Sequence, residues 1–338
     1  MSKILVTGAS GRVGANLVKK LQEDGMDVRG FVMADDPLRG KLEALGCEIF
    51  EGNMLCEEDI ERAMAGCEYI IHLAALIGRP NAMSEREYWD INVTASFMLV
   101  RAAGRKGIKR FIFASTDSIY SASNPQYSPI DENHPQNPFF LYSLTKKAAE
   151  AAVLEGMNEF SMPAVILRFS YVMANSEVLD YFRASSVADT LKHLHPMSMA
   201  YAPGQQDALE RFQCLVNSPD ALVVPKGPDL RSWRLHLVDV RDIVSGILLS
   251  LSGARATGEV FNLAGPHSTT WEQATKYISQ KTGQPVTECV LDNYWGYEMN
   301  IQKAVNLLGF HPEYDIYRMI DDALAYKQGA DTGVISAR

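Results

Sequence analysis

Several features that mark membrane, secreted and metal-binding proteins are scarce in this chain. No apolar stretch is long enough to cross a bilayer, and residues 1–21 lack the charged start and long apolar core of a signal peptide. The few cysteines are scattered without Cys-x-x-Cys pairing, which argues against a zinc site and fits a reducing cytosol. They are Cys47, Cys56, Cys67, Cys214 and Cys289. We therefore expect a cytoplasmic protein with no membrane segment and no metal.

Positive charge is also in short supply. The 338 residues include 32 lysines and arginines against 41 acidic residues, which gives a formal net charge of −9, and there is no basic block. Nucleic acid is therefore not expected as a partner, because its phosphates need a cationic surface. With 47% hydrophobic residues and no internal repeats, the chain can form one large or two modest domains with a substantial core. We expect its partner to be a small-molecule substrate.

The N-terminal segment carries a glycine-rich turn between a strand and a helix. The apolar run Ile4–Val6 predicts a buried parallel strand, and helical apolar spacing begins at Val13. Gly8, Gly11 and Gly14 lie at the junction, in the order that a dinucleotide-binding turn requires. A pyrophosphate would bind at the helix N-terminus, where free N–H groups and the helix dipole favour an anion. On the motif alone, an ordinary strand-to-helix connection is an equally good interpretation.

Strands and helices are predicted to alternate along the first half of the chain. After the first pair, the predicted strands are 28–33, 48–50, 69–73, 110–114 and 164–168, and the predicted helices are 37–45, 57–64, 85–105 and 142–159. Such alternation with short connections is typical of an α/β fold with a doubly wound parallel sheet of the Rossmann type.

The pattern changes beyond Phe169. Residues 176–234 are rich in Met, Pro, His and Ser and show few clear periods. We predict a smaller, mixed C-terminal substrate lobe that closes over the cofactor crevice, where ligands bind in such sheets. The predicted division is a dinucleotide-binding domain over 1–170, to which 236–265 returns, and a substrate lobe formed by 171–235 and 266–338.

A tyrosine and a lysine one helical turn apart form the strongest chemical signal. Tyr142 and Lys146 lie on the same face of a predicted helix, with Thr116 upstream. A nearby lysine cation would stabilise the phenolate and lower the pKa of the tyrosine from about 10 towards neutrality. Such a tyrosine can take or give the proton of a carbinol while a hydride moves to or from a nicotinamide. Tyr-x-x-x-Lys alone is common, so its weight comes from the glycine-rich turn.

Taken together, these motifs resemble the extended short-chain dehydrogenase/reductase family of nucleotide-sugar epimerases, dehydratases and related reductases. The resemblance covers nearly the whole chain, and the order and spacing of its segments are far more specific than any single motif. The matching segments are Thr7-Gly8-x-x-Gly11-x-x-Gly14, His72–Ala75, Asn92–Thr94, Phe113–Thr116, Tyr142 with Lys146, Leu167–Phe169, His236–Val240 and Lys303–Phe310.

The resemblance implies a role for each residue of the site. Tyr142 would be the acid/base, Lys146 would lower its pKa and hold the nicotinamide ribose, and Thr116 would hydrogen-bond the substrate oxygen. A solvated helix lysine and a strand-end threonine are the simpler alternatives for Lys146 and Thr116. Beside Tyr142 and Lys146, the residues implied to bind the cofactor are Gly8, Ser10, Gly11, Arg12, Val13, Gly14, Val32, Met33, Asn53, Met54, Leu73, Ala74, Ala75, Asn92, Ser115 and Phe169.

The end of the second predicted strand bears on the choice of cofactor. Relatives carry there an acid for the adenosine 2′-hydroxyl or an arginine for a 2′-phosphate, whereas Phe31-Val32-Met33 has neither. Asp35 and Asp36 follow, which favours NAD over NADP. Arg12 could reach a phosphate or be a solvated surface charge. Asn53 replaces the usual aspartate and can still hydrogen-bond an adenine edge.

Other departures from the family pattern concern the substrate. Ser118 stands where sugar dehydratases carry a glutamate, which argues against dehydration, and Asp117 is either a substrate hydrogen-bond acceptor or a turn residue, with equal weight. Tyr171 replaces an asparagine and Val172–Asn175 replaces a Tyr-Gly-Pro run, so we expect a smaller or less charged substrate than a nucleotide sugar. Arg231 is our first candidate among the arginines of the lobe, although surface charge is the commoner role. We predict that Asp117, Ser118, Tyr171 and Arg231 contact the substrate.

Two helices suggest how the protein assembles. In relatives, the helix around Asn92 and the helix that follows Tyr142 pair subunits. Apolar spacing on the second helix permits close packing, at Ala148, Ala152, Val153 and Met157. We therefore expect a homodimer with two-fold symmetry.

The leading hypothesis is an NAD(P)-dependent oxidoreductase that transfers hydride to or from a carbinol or ketone of a sugar-like small molecule. An alternative is a sugar or nucleotide-sugar epimerase that keeps its NAD and passes through a transient ketone, because both use Thr116, Tyr142 and Lys146 in the same way. The weak nucleotide-binding residues favour net oxidoreduction. A non-catalytic NAD(P)-sensing regulator is the third alternative, but such relatives usually lose the tyrosine or the lysine.

Overall fold

A computed structural model of the protein describes residues 3–77, 84–120, 125–198, 209–210, 212–213, 216, 218–292 and 294–337, with the backbone alone for 192–198. The strands are β1 (Lys3–Thr7), β2 (Asp27–Val32), β3 (Glu48–Glu51), β4 (Cys67–His72), β5 (Arg110–Thr116), β6 (Ala164–Phe169), β7 (Tyr171–Met173), β8 (Leu222–Lys226), β9 (Arg234–Leu235), β10 (Leu237–Asp239), β11 (Val260–Leu263), β12 (Thr269–Thr270) and β13 (Val286–Val290). The helices are α1 (Arg12–Glu23), α2 (Gly40–Ala44), α3 (Glu57–Met64), α4 (Glu85–Trp89), α5 (Ala95–Lys106), α6 (Leu141–Phe160), α7 (Glu177–Tyr181), α8 (Ala184–Ser198), α9 (Val240–Ser252), α10 (Trp271–Thr282), α11 (Gln302–Leu308) and α12 (Ile316–Lys327). A π-helical turn covers Asp90–Thr94, and 3-10 turns cover Asp117–Ile119 and Ala254–Ala256.

Seven strands form one parallel sheet in the order β11-β6-β5-β4-β1-β2-β3. The chain runs outward from β1 through β2 and β3, then crosses back over β1 to add β4, β5 and β6 on the other side. This arrangement confirms the predicted α/β fold with a doubly wound sheet. In such sheets, ligands bind at the carboxyl edge where the strand order reverses, which is between β1 and β4 here.

The inner strands of this sheet, such as β1, are buried on both faces because alternate side chains enter two different apolar layers. Ile4 and Val6 of β1 share a cluster with Leu17 of α1 on one face. Leu5 shares a cluster with Leu99 of α5 on the other face, and all five side chains are fully buried. Burial on two sides explains why these strands are nearly continuous apolar runs in the sequence.

The second lobe has its own core, built around aromatic side chains. Trp233 and Trp271 are buried with ring centroids 5.8 Å apart, and Phe182 lies 5.6 Å from Trp271. Three two-stranded sheets lie outside the main sheet, β10-β7, β12-β9 and β13-β8. Strand β11 belongs to the main sheet, whereas β10 pairs with β7 outside it. The boundaries proposed for the two domains stay a prediction.

Two helices differ from their predicted extents. The helix expected at 37–45 is shortened to α2, because the Asp36 carboxylate accepts a hydrogen bond from the Leu38 N–H at 2.9 Å and makes a turn first. The helix expected at 85–105 is interrupted by the π-helical turn. Such a turn widens the helix locally and recurs at functional sites. This one carries Asn92.

Two of the four residues on which the expected dimer rested point inward. Val153 is fully buried in the protein's own core, and Met157 packs against that core. Exposed apolar side chains of α5 and α6 include Phe97, Leu144 and Leu154, which are 45%, 47% and 42% exposed. The choice of Val153 and Met157 was therefore wrong, because helical spacing alone does not tell which face meets the sheet. The dimer itself stays a prediction.

The last residues of the described chain return to the first domain after α12. The Asn16 side chain of α1 donates to the Ile335 carbonyl at 2.9 Å and accepts from the Ile335 N–H at 2.8 Å. The Lys41 ammonium of α2 donates to the Ser336 carbonyl at 2.7 Å. This tail, residues 335–337, therefore connects α1 and α2 through hydrogen bonds to both helices.

The described part of the chain adds three findings on membranes, metals and thiols. None of its helices combines the length and the apolar character that crossing a bilayer demands. Its His, Cys, Asp and Glu side chains form no group of three or more that could hold a metal ion. Its free cysteines are Cys47, Cys56, Cys67 and Cys289.

Candidate active site

The glycine-rich turn joins β1 to α1 at the carboxyl edge of the sheet. Gly8 has a φ of +65°, and a Cβ there would lie 2.8 Å from the Ala74 nitrogen. A Cβ on Gly14 would lie 2.1 Å from the Gly8 carbonyl oxygen, so both positions need glycine. The N-cap of α1 is Gly11, which makes no side-chain capping bond, and the first turn of the helix contains no acid. The free N–H groups and the helix dipole suit an anion such as a pyrophosphate.

The carboxyl ends of the first six strands bring the predicted cofactor-binding residues to one edge of the sheet. The turn and α1 contribute Gly8, Ser10, Gly11, Arg12, Val13 and Gly14; the ends of β2 and β3 contribute Val32, Met33, Asn53 and Met54; the ends of β4, β5 and β6 contribute Leu73, Ala74, Ala75, Ser115 and Phe169. The Ser115 hydroxyl is buried and has no hydrogen-bond partner among the described residues. Buried polar atoms are nearly always paired, so this one suits a polar atom of a ligand.

His72, at the end of β4, is a structural residue. It is fully buried, with Nδ1 2.7 Å from Thr7 Oγ1 and Nε2 2.8 Å from Ser96 Oγ. Burial lowers the pKa of His72 to about 3, and a nearby positive charge lowers it further, so the ring is neutral. A neutral ring donates one hydrogen bond and accepts another. His72 therefore joins β1 and α5 to β4 and does not exchange protons near neutral pH.

Asn92 links the segment after β4 to the helix that carries Tyr142. Its side-chain oxygen accepts a hydrogen bond from the Leu76 N–H at 2.7 Å. Its amide nitrogen donates to Thr145 Oγ1 of α6 at 3.0 Å. The π-helical turn places this one side chain, which is 1% exposed, where it reaches both elements. Asn92 thus joins the segment after β4 to α6, and its contact with the cofactor stays a prediction.

Thr116 ends β5 and Tyr142 begins α6, and their side chains are close enough to interact. The Thr116 hydroxyl lies 2.9 Å from Ser118 Oγ. Burial raises the pKa of the Tyr142 phenol and the negative charge of Asp117 raises it further, while the interaction with Thr116 opposes both. The prediction that the pKa of Tyr142 is lowered is therefore wrong for this structure.

Lys146, one turn further along α6, is buried and only 2% exposed. Its ammonium nitrogen lies 4.1 Å from the centre of the Phe113 ring. Burial lowers the pKa of Lys146 to about 7, and the charge of Glu150 opposes that shift. A lysine near half ionisation stabilises a phenolate less than a full cation does, so Lys146 does not offset the burial that raises the pKa of Tyr142. The burial also excludes the interpretation of Lys146 as a solvated lysine.

Asp117 adjoins the Thr116–Tyr142 pair and is bound by a residue that the sequence did not reveal. Its Oδ2 accepts a hydrogen bond from the Tyr297 hydroxyl, and its Oδ1 lies 3.4 Å from Thr116 Oγ1. Burial raises the pKa of Asp117 to about 6. Tyr297 follows β13 and is 180 residues away in sequence, in a stretch without a period that would mark it. These contacts favour the interpretation of Asp117 as an acceptor over that of a turn residue alone.

The two other predicted substrate-binding residues have different surroundings. Tyr171 is half exposed on β7, with its ring 4.9 Å from that of Tyr181, and burial and the Asp117 charge both raise its pKa. The Arg231 side chain is 66% exposed, forms an ion pair with Asp229, and stacks 4.3 Å from the centre of a tyrosine ring. Tyr171 is thus brought to the site, whereas the contacts of Arg231 favour the surface-charge interpretation.

Beyond the ends of β2 and β3, the charged side chains have partners within the chain. Arg12 makes a two-pronged ion pair with Glu177 of α7, with N–O distances of 2.8 and 2.7 Å. Asp36 accepts a hydrogen bond from the Ser10 hydroxyl. The Asn53 side-chain oxygen accepts a backbone N–H two residues on, at 2.9 Å. Glu177, like Tyr297, is a site residue for which the sequence carried no signal.

A model of the NAD dependent epimerase/dehydratase family matches residues 4–264 of this chain. The chain belongs to that family. This family member is 27% identical to a UDP-glucose 4-epimerase of Corynebacterium glutamicum over 335 residues, which cover 96% of this chain and 95% of the relative. It is also 33% identical to a 3-beta-hydroxysteroid dehydrogenase of Mycolicibacterium neoaurum, over 186 residues that cover 52% of this chain and 49% of the relative.

Solved structures agree with this family assignment. A short-chain dehydrogenase/reductase superfamily protein of Agrobacterium tumefaciens with bound NAD superposes with a TM-score of 0.83 at 28% identity, over 97% of this chain and 100% of that one. The resemblance to the extended short-chain dehydrogenase/reductase family is thereby confirmed, and the protein is an enzyme of that type. Its uncapped α1 N-terminus and the unpartnered Ser115 hydroxyl fit such a dinucleotide.

Proposed function

We propose that this enzyme transfers a hydride between NAD and a carbinol or ketone of a sugar-like small molecule, with Tyr142 as the acid/base. The proposal rests above all on the meeting of the Thr116 and Tyr142 side chains, where the end of β5 adjoins the start of α6. This pair lies at the same sheet edge as the uncapped glycine-rich turn. Lys146, buried one turn from Tyr142, completes the group of three.

Each of the three side chains has a distinct task. When bound, NAD supplies or accepts the hydride at its nicotinamide ring. Thr116 Oγ1 hydrogen-bonds the reacting oxygen and so orients the carbon. The phenol oxygen of Tyr142 gives a proton to a ketone oxygen or takes a proton from a carbinol hydroxyl. Because burial raises the pKa of this phenol, it is ready to donate, and taking a proton needs the positive charge of Lys146.

We further propose NAD over NADP as the cofactor. Arg12 is the cation of the glycine-rich turn, and its ion pair with Glu177 neutralises it. The carboxylate of Asp36, which holds the Ser10 hydroxyl, would repel a 2′-phosphate. Fluorescence titration with the two reduced cofactors tests the preference. Tighter binding of NADPH would contradict it.

Epimerisation with a permanently held NAD is the second candidate. It is favoured by the similarity to UDP-glucose 4-epimerase over nearly the full length of both chains. An epimerase oxidises a carbon and reduces it again from the other face, so Thr116, Tyr142 and Lys146 serve it equally well. The segment at Tyr171, which departs from the usual nucleotide-sugar pattern, favours net oxidoreduction instead.

Purified protein distinguishes these functions. The bound cofactor is extracted and identified, and a panel of sugars, sugar acids and polyols is assayed by the absorbance of reduced nicotinamide. We expect NADH to accumulate in proportion to the oxidised product. Interconversion of epimers without release of NADH would establish the epimerase instead. Cofactor binding without any turnover would refute the proposal and indicate a regulator.

We also propose a homodimer formed through α5 and α6 and a cytoplasmic location. The exposed side chains of Phe97, Leu144 and Leu154 supply the apolar surface that a two-fold interface needs. The free thiols of the described chain are compatible with a reducing compartment. Light scattering on the wild type and on Leu154→Glu tests the interface, because a charge there should shift a dimer towards the monomer.

A further inference from the structure

We propose that Asp117, held in place by Tyr297, makes this enzyme select a vicinal diol, because its free carboxylate oxygen accepts the hydroxyl on the carbon next to the reacting one. The inference rests on the proposed function, since it concerns the substrate of the same site. It names a substrate class, a sugar or polyol with adjacent hydroxyls. The enzyme should discriminate against an alcohol that has no hydroxyl on the neighbouring carbon.

A hydroxyl and a carboxylate oxygen lie side by side at the end of β5. Thr116 is the last residue of the strand, and Asp117 begins the 3-10 turn that follows. Asp117 Oδ1 lies 3.4 Å from Thr116 Oγ1, which is too long for a strong hydrogen bond, so Oδ1 remains able to accept a proton from a ligand. A substrate whose reacting oxygen binds Thr116 places the hydroxyl of the adjacent carbon beside this carboxylate oxygen.

Tyr297 occupies the other carboxylate oxygen. Its hydroxyl donates to Asp117 Oδ2, and the residue is only 5% exposed. Burial and the charge of Asp117 raise the pKa of this phenol well above its ordinary value, so it stays a donor at any working pH. A hydrogen bond to an ionised acceptor is strong and directional. With Oδ2 engaged, the carboxylate keeps one orientation and presents Oδ1 alone.

The segment that carries Tyr297 is fixed to its surroundings by backbone bonds. The Met299 N–H donates to His236 Nδ1 at 3.0 Å, and the Ile130 N–H donates to the Glu298 carbonyl at 2.7 Å. These bonds hold the stretch immediately after the tyrosine, between β13 and α11, in place. Tyr297 is therefore a positioning residue, which acts on the substrate through the carboxylate that it holds.

The charge of Asp117 makes the selection depend on pH. The titratable groups that face this carboxylate are phenols with raised pKa values, which are neutral near pH 7: Tyr142 of α6, Tyr171 of β7, Tyr181 of α7 and Tyr297. Burial raises the pKa of Asp117 to about 6, and the hydrogen bond from Tyr297 opposes this shift. Asp117 is therefore an ionised acceptor above about pH 6 and a protonated acid below it.

The test compares two substrates on the wild type and three variants. The substrates are the polyol that the wild type oxidises fastest and its deoxy analogue, which lacks the neighbouring hydroxyl. The variants are Asp117→Asn, Tyr297→Phe and a matched control, Tyr277→Phe. The control removes a tyrosine–aspartate hydrogen bond of 2.8 Å at the surface of the lobe. Melting temperature and NAD binding report whether each variant is folded.

We expect the wild type to favour the diol in kcat/KM by about 10- to 100-fold above about pH 7, as a hydrogen bond to a charged group predicts. The preference should fall as the pH drops through about 6, where the carboxylate is protonated. Asp117→Asn should nearly remove the preference at every pH. Tyr297→Phe should move its fall to higher pH, because the bond that lowers the pKa of Asp117 is gone. Tyr277→Phe should behave like the wild type.

Equal turnover of the diol and its deoxy analogue by the wild type would overturn the inference and leave the proposed function standing. So would a preference that survives in Asp117→Asn, or a pH profile of Tyr297→Phe that matches the wild type. The pH dependence of the diol preference can be measured on the wild type alone. The inference can therefore still be tested if a variant does not fold. If no carbinol is oxidised and no ketone is reduced, the proposed function fails and the inference fails with it.

Discussion

The sheet half and the lobe of this enzyme are built by different rules. In the sheet half, parallel strands repeat one pattern of two-sided burial, and their ends bring the glycine-rich turn, Thr116 and Ser115 to one edge. In the lobe, two- to five-residue strands surround buried tryptophans, and Tyr297 reaches Asp117 across 180 residues. The comparison teaches that the periodic half brings its polar residues to one edge through repeated local patterns, whereas the aperiodic half adds single long-range contacts such as that of Tyr297.

The largest effect expected in the sheet half comes from the acid/base itself. Tyr142→Phe should lower turnover of every substrate by about 100- to 10,000-fold, because the proton has no donor or acceptor, while NAD binding stays nearly intact. Steady-state kinetics and a binding titration measure the two quantities. Tyr317→Phe, which changes an exposed tyrosine of the lobe, is the control. Turnover of Tyr142→Phe within a few-fold of the wild type would contradict its role.

A buried lysine of the sheet half should make stability depend on pH. Burial lowers the pKa of Lys146 to about 7, so between pH 7 and about pH 10 the unfolded chain binds a proton that the folded chain lacks. The free energy of unfolding should therefore rise across this window, by about 2–4 kcal/mol for this group. Urea unfolding at several pH values should show that Lys146→Met loses the rise. Lys276→Met, at an exposed lobe lysine, should keep it.

The glycine-rich turn should tolerate no side chain. Gly14→Ala places a Cβ 2.1 Å from the Gly8 carbonyl oxygen, so we expect it to destabilise the fold by about 1–3 kcal/mol and to weaken NAD binding. Gly40→Ala, in α2, meets nothing within 4 Å and is the matched control. Thermal unfolding and cofactor titration measure both effects. Equal stability and affinity in the two variants would contradict the close approach at Gly14.

The smallest effect should come from the lobe and should concern binding alone. The rings of Tyr171 and Tyr181 lie 4.9 Å apart, which brings their hydroxyls into interaction. Tyr181→Phe removes it, so we expect KM to rise by about 3- to 10-fold with kcat unchanged. Tyr277→Phe, at the surface of the lobe, should leave both constants as they are. A fall in kcat without a rise in KM would show that Tyr181 of the lobe affects the chemical step. It would contradict the distinction drawn here between the sheet half and the lobe.

Most of the sheet half could be predicted from the sequence because its signals are local. Ile4–Val6 reads as a buried strand, Gly8 and Gly14 mark the turn, and Tyr142 and Lys146 are one helical turn apart. The pKa of Tyr142 could not be predicted, since it depends on burial and on the charge of Asp117. A motif identifies a pair of residues, whereas their protonation depends on everything packed around them.

Contacts across the two halves were beyond the reach of the sequence. Arg12 meets Glu177 across 165 positions, and Tyr297 meets Asp117 across 180. No spacing rule spans such distances, and the segments that carry Glu177 and Tyr297 show no period. Arg231 illustrates the converse error, because a position close to a family segment does not tell whether a side chain faces the crevice or the solvent.

The tail that meets Asn16 and Lys41 has a practical consequence for anyone who labels this enzyme. A purification tag or fluorophore attached beyond residue 337 would emerge beside α1 and α2, next to the glycine-rich turn that we propose to bind the dinucleotide. An attachment ahead of Lys3 starts at the opposite edge of the sheet, because β1 runs from there towards the turn. Affinities for the cofactor are therefore best measured on protein that carries its label ahead of Lys3.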